Sequence, residues 1–154
     1  MLDSARPSWP TVPLPAGHVA TGLLLQMAHR AARCHLASAL QSVEMDVRHF
    51  GILQFLVHGG LTQRQLTDLA GVDKSTLVRI IDRLEHDQLA QRTRNPHDRR
   101  SFHVTITETG RQRLAAANAA AGEIIEHLFG WLGERERCQL HQALLGIIQA
   151  SRAV

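Results

Sequence analysis

The sequence predicts a mainly helical chain built around a winged helix-turn-helix, with about six helices and a β-wing of two or three strands. Three observations point there. Leu77, Ile80, Ile81 and Leu84 fall within one arc of roughly 100° on a helical wheel, with Ser75, Thr76, Arg79 and Arg83 on the opposite side. The stretch Leu61–Gly71 reads as a short helix, with Thr62 as N-cap, Gln65 three residues on as its capping-box partner, and Gly71 as the terminating residue. After the second helix, Leu89–Arg94 can run extended, Asn95-Pro96-His97-Asp98 carries turn chemistry, and Phe102–Thr107 alternates apolar and polar residues at strand period.

Taken in order, residues 1–16 hold Pro7, Pro10, Pro13 and Pro15 around Trp9 and read as an extended arm that is either disordered or packed on a partner subunit. From 17 to 154 a single domain is expected. Its first helix, His18 to about Glu44, is about 40 Å long and carries two apolar stripes, Leu24, Met27, Ala31 and Cys34, then Leu36, Leu40 and Val43. Two stripes imply two sets of neighbours. A second helix over about 46–58 buries Phe50, Leu53, Phe55, Leu56 and Val57 before Gly59-Gly60 ends it. The helix-turn-helix follows, its first helix burying Leu66, Leu69 and Ala70. Beyond the wing, Thr107 caps a helix with Leu114, Ala117, Ala121, Ile124, Ile125 and Leu128 at helical spacing, and a last helix from about Glu134 to Ser151 aligns Leu140, Leu144, Ile147 and Ile148. The winged helix-turn-helix thus occupies about 46–110, flanked by terminal helices over about 17–45 and 107–151.

Composition narrows the function classes. With 154 residues, 44% hydrophobic and 20% charged, the chain is a folded domain rather than a disordered tail. Aromatics at 4% and the lack of tyrosine argue against single-strand binding by base stacking. A net charge of only +3 means that nucleic-acid affinity must come from the placement of charge. The hairpin supplies that placement, since the span between Gln88 and His103 holds Arg92, Arg94, Arg99 and Arg100 against one acid, Asp98. Cys34 and Cys138, without a CxxC pattern, fit buried apolar roles in a reducing cytoplasm. No secretory or membrane-spanning pattern is present in the sequence.

Several motifs, in order, resemble the MarR family of transcriptional regulators: Leu-Thr-Gln-x-x-Leu at 61–66, Asp-Lys-Ser-Thr-Leu-x-Arg at 73–79, Ile-x-Arg-Leu-Glu at 81–85, Asp-Arg-Arg at 98–100 and Val-x-Ile-Thr-x-x-Gly at 104–110. The resemblance implies a homodimer formed by the first and last helices. It also implies repression relieved by a small ligand, often an aromatic acid bound between the dimer helices and the reading head. The terminal helices carry more apolar surface than the reading head can cover, which independently calls for pairing two chains and so setting two recognition helices about one DNA turn apart.

The candidate DNA contacts are Ser75, Thr76 and Arg79 on base edges and phosphates, and Arg83 on phosphate. Asp82 and Glu85 would repel the duplex, so the helix should enter by its N-terminal half. In the wing, Asp98 can hold Arg99 or Arg100 in a bidentate pair while the other enters a minor groove. Thr62, Gln63 and Arg64 open the preceding helix, where free N–H groups favour phosphate. His29, Arg33, His49 and Phe50 are candidates to line an effector cleft, cations for a carboxylate and an aromatic for a ring. No cofactor, metal site or catalytic residue is expected: Gly-x-Ser-x-Gly, a glycine-rich phosphate loop and His-Glu-x-x-His are all missing. Zinc-sensing relatives need ligands that this chain lacks, and the reactive cysteine of peroxide-sensing relatives lies well before Cys34. The alternatives are a protein-interaction winged helix without DNA binding, or a redox- or metal-responsive regulator.

Overall fold

The computed structural model describes residues 17–95 and 98–151, with residues 95 and 98–101 described by their backbone. The arm expected over residues 1–16 lies outside them. The elements run α1 His18–Gln41, α2 Val47–Leu56, β1 Leu61–Thr62, α3 Gln63–Ala70, α4 Lys74–His86, β2 Ala90–Asn95, β3 Asp98–Ile106, α5 Glu108–Phe129 and α6 Glu134–Ser151. The chain divides into two compact units, one over Arg33–Gly122 and one joining Met1–Ala32 to Glu123–Val154.

The Arg33–Gly122 unit contains the winged helix-turn-helix. Leu40 of α1, Ile52, Leu53 and Leu56 of α2, Leu66 of α3, Leu77, Ile81 and Leu84 of α4 and Val104 of β3 form its centre, each no more than 2% exposed. Each such side chain contributes about 1.5–3 kcal/mol by leaving water. Every element of the head packs at least one residue on this core, which fixes α3 and α4 against a common support.

Local chemistry sets the boundaries. Asp46 caps α2 by accepting from the Arg48 N–H. At α3 the capping box is complete: the Gln65 N–H donates to Thr62 Oγ1 at 3.2 Å, and the Thr62 N–H donates to Gln65 Oε1 at 2.9 Å. Gly71 ends the helix with φ of 62°, in the left-handed region where a side chain costs energy, and its N–H returns to the Thr67 carbonyl.

The three strands are ordered β1-β3-β2, all antiparallel. Leu61 pairs with Val104 and Thr62 with His103, so the residue that caps α3 is also held by the sheet. Across the hairpin Ala90 faces Ile106 and Arg94 faces Phe102, with an irregularity between Arg94 and Asn95. At its base the Thr107 hydroxyl donates to the Gln88 carbonyl at 2.6 Å and accepts from the Gly110 N–H at 2.9 Å. A Cβ on Gly110 would lie 2.0 Å from the Leu89 carbonyl oxygen, so only glycine lets α5 start this close to the wing.

Four side-chain expectations are corrected. Leu69 and Phe55 are 41% and 37% exposed rather than buried, and Ile52 takes the inward place on α2. Cys34 and Cys138 are both exposed thiols and not core residues. For Leu69, Phe55 and Cys34 the origin is the same: an apolar face at helical period tells which residues align, but not which aligned face has a neighbour.

The terminal unit shows this most clearly. Leu24 and Met27 of α1 are 44% and 56% exposed, and Ile147 and Ile148 of α6 are 46% and 50% exposed. No residue of α6 is buried. The second stripe of α1 behaves differently, with Leu40 fully buried and Leu36 and Val43 packed on the head's core. The two-stripe pattern of α1 is therefore one covered face and one open face. Among the described residues no helix is long and apolar enough to cross a membrane.

Candidate nucleic-acid interface

The site is built on α4, whose four apolar residues Leu77, Ile80, Ile81 and Leu84 are 0%, 6%, 0% and 1% exposed. That burial turns the other face outward: Ser75, Arg79 and Arg83 are exposed and Thr76 is half-buried. The arrangement follows from the 3.6-residue period alone.

The cap of this helix is Asp73, in extended conformation. Its Oδ1 accepts the Thr76 N–H at 2.8 Å and the Ser75 hydroxyl at 2.5 Å, while its Oδ2 accepts the Thr76 hydroxyl at 2.6 Å. Bonds from the Ser75 and Thr76 hydroxyls and the Thr76 N–H hold the Asp73 carboxyl well below the usual carboxylate range, so it is ionised throughout the physiological range. The sequence does carry a signal for this residue, an aspartate three residues before Thr76 at the start of an apolar-periodic run.

The second half of α4 does a different job. Glu85 accepts the Arg92 backbone N–H at 2.7 Å through Oε1 and pairs with the Arg92 guanidinium through Oε2, while Asp82 Oδ1 accepts from the same guanidinium at 2.6 Å. Arg92 is thus turned toward α4 and does not belong to the basic tip of the wing. Asp82 and Glu85, expected to repel a duplex, form a brace that joins α4 to β2. Arg83 forms a 2.8 Å pair with Asp87 one turn on, which a phosphate would have to displace.

In the wing, Arg94 is exposed. Asp98, Arg99 and Arg100 lie in β3 by their backbone, and the pairing expected of their side chains falls outside what is described. Thr62, Gln63 and Arg64 line a groove of about 490 Å³ together with Thr67, Asp68, Lys74 and Phe102, so the start of α3, the start of α4 and β3 share one concave face. Sequence reasoning misses Lys74 and Phe102 as part of this face, because the groove forms only where α3, α4 and β3 meet.

The residues suggested for an effector cleft are distributed between the units. Arg33, His49 and Phe50 belong to the head, with His49 and Phe50 half-buried and Arg33 exposed, and exposed His29 belongs to the terminal unit. Burial pushes the His49 pKa below its ordinary value, against the opposing pull of Asp46 and Asp87. Among the described residues no group of three or more His, Cys, Asp or Glu side chains is placed to share a metal ion.

Comparison with known proteins falls on the same part of the chain. Residues 44–101 match the sequence model of the MarR family. The chain is 33% identical over 93 residues to the HTH-type transcriptional repressor NicR of Pseudomonas putida, a match covering 60% of this chain and 59% of that protein. The chain thus spans less than two thirds of that relative. Among solved structures it is similar to CouR of Rhodococcus jostii RHA1, solved bound to p-coumaroyl-CoA, with a TM-score of 0.78 and 27% identity over 83% of this chain and 91% of that one. It shares the fold of a point mutant of MarR from E. coli, solved with operator DNA, with a TM-score of 0.74 and 23% identity over 84% and 94% of the two chains.

Proposed function

We propose that the chain, whose residues 44–101 match the sequence model of the MarR family, is a sequence-specific regulator of transcription that binds double-stranded DNA as a homodimer in the cytoplasm. It acts as a repressor, occluding a promoter until a small ligand changes the separation of the two reading heads. The observation that carries this reading is the outward face of α4. Ser75, Thr76 and Arg79 project from a helix whose opposite face is sealed into the core and whose far end is braced to the wing through Arg92. Such a helix can enter a major groove by its N-terminal half without bending. Wing arginines beside it supply sequence-independent attraction to phosphate.

Two further features support the reading. The open apolar faces of α1 and α6 are large enough to need a partner, and a second copy of the same chain satisfies both them and a two-fold symmetric duplex site. NicR carries the name of a transcriptional repressor, and CouR was solved bound to p-coumaroyl-CoA. By that analogy the effector is a small aromatic acid or its derivative, with Arg33, His49 and Phe50 of the head as its candidate contacts.

The test is equilibrium binding of the purified full chain to a random duplex pool and to sheared genomic fragments. Enrichment of a pseudo-palindrome, with affinity falling linearly in log salt, is the expected result. A chain that stays monomeric, or that retains no duplex at low ionic strength, overturns the proposal.

A further inference from the structure

On the reading of α4 as the DNA-reading helix, we propose that Asp73 sets the hydrogen-bonding polarity of that helix. It takes the hydroxyl hydrogens of Ser75 and Thr76, so that these residues recognise the exocyclic amino groups of adenine or cytosine and neither base acceptors nor phosphates.

The argument rests on counting hydrogens. A serine or threonine hydroxyl has one hydrogen to donate and two lone pairs, and an ionised carboxylate has none to donate. The contacts of Ser75 Oγ with Asp73 Oδ1 at 2.5 Å and of Thr76 Oγ1 with Asp73 Oδ2 at 2.6 Å can therefore run in one direction only, hydroxyl to carboxylate. The Thr76 N–H, donating to Oδ1 at 2.8 Å, fixes which oxygen faces which partner. Both hydroxyl oxygens are left with lone pairs alone. In the major groove, adenine N6 and cytosine N4 are donors, whereas guanine O6 and N7, adenine N7 and thymine O4 are acceptors. Phosphate oxygens are acceptors too. A lone pair on Ser75 or Thr76 thus matches an amino group and repels the rest. Arg79, one turn after Ser75 on the same exposed face, carries donors only and suits guanine O6 and N7. The face is split into an accepting end and a donating end, and Asp73 acts as a positioning residue that touches no base.

The experiment takes a duplex selected from a random pool by the full-length protein and varies single functional groups in it. Purine replaces adenine and 2-pyrimidinone replaces cytosine to delete amino groups; 7-deazapurines delete N7. Binding is measured for the wild type, Ser75→Ala, Thr76→Val and Asp73→Asn. At least one amino deletion should weaken the wild type about tenfold, and that loss should vanish in Ser75→Ala or Thr76→Val. No N7 deletion should be coupled to either residue.

Asp73→Asn gives a sharper outcome. Asparagine keeps the cap oxygen on the Thr76 N–H but places an amide donor against Thr76 Oγ1, which must then accept and turn its own hydrogen outward. Selection with this variant should move the preferred base at the Thr76 position from an amino-bearing to a carbonyl-bearing one. An N7 loss that disappears in Ser75→Ala or Thr76→Val, no coupled amino loss, or an unchanged preference in Asp73→Asn overturns the inference while the proposed function stands. A wild-type chain that enriches no sequence overturns the proposed function, and the inference with it.

Discussion

The head and the terminal unit both carry apolar stripes along their helices, but the stripes meet opposite fates. In α4 every residue of the apolar stripe is at most 6% exposed, whereas in α6 Leu140, Leu144, Ile147 and Ile148 are all at least 36% exposed. The difference lies in the neighbours and not in the pattern. α4 is enclosed by α2, α3 and the sheet, while α6 has no buried residue at all. The head therefore has a closed core of its own, whereas the apolar side chains of the terminal unit stand open.

That contrast can be broken in order of expected effect. The double change Leu144→Asp and Ile148→Asp should abolish self-association, halving the mass seen by sedimentation and removing high-affinity binding to a palindromic duplex while a half-site is still bound. An intact dimer in this variant would mean that the open faces of α6 are not the interface. Next, Ile81→Ala should cost about 2–5 kcal/mol of stability in urea unfolding. The matched change Ile147→Ala, measured at a dilution where the chain is monomeric, should stay within about 0.5 kcal/mol. Equal losses would erase the distinction between the two regions.

Arg79→Ala leaves both cores alone and should reduce binding to the selected duplex over random duplex by about 1–3 kcal/mol. An identical loss on both duplexes would assign Arg79 to phosphate. The smallest effect concerns His49. Its folded-state pKa lies below the ordinary 6.5, because burial disfavours the charged ring. The unfolded chain therefore binds the proton more readily, and the stability due to a neutral His49 is present above pH 6.5 and lost as pH falls below it. His49→Gln should flatten the unfolding free energy between about pH 7 and about pH 5, either side of the imidazole midpoint. A slope unchanged by the substitution would place the acid sensitivity elsewhere.

What can be read from sequence is whatever is local. The capping box of Thr62 and Gln65, the left-handed Gly71, the buried quartet of α4 and the turn-flanked strands each depend on residues within a few positions of one another, and the structure has all of them. What escapes depends on meetings between elements. Arg92 sits ten residues from Asp82, and its place in the chain groups it with the wing tip, although it turns back to α4. Cys34 continues an apolar stripe and so reads as a core residue, but that stripe is the open one. Asp73 is legible as a cap, but the pattern of a helix does not show where the Ser75 and Thr76 hydroxyls send their hydrogens.

The brace between α4 and β2 has a practical consequence for anyone wishing to retarget this protein. The stretch 73–79, which carries the outward residues proposed to read DNA, precedes in the chain those that anchor the hairpin, Asp82, Glu85 and Arg92. A graft of the first stretch from a relative should transplant its base preference without disturbing the hairpin. A graft that extends past Ile81 must carry a compatible β2 with it, or the hairpin will swing loose from the helix it accompanies.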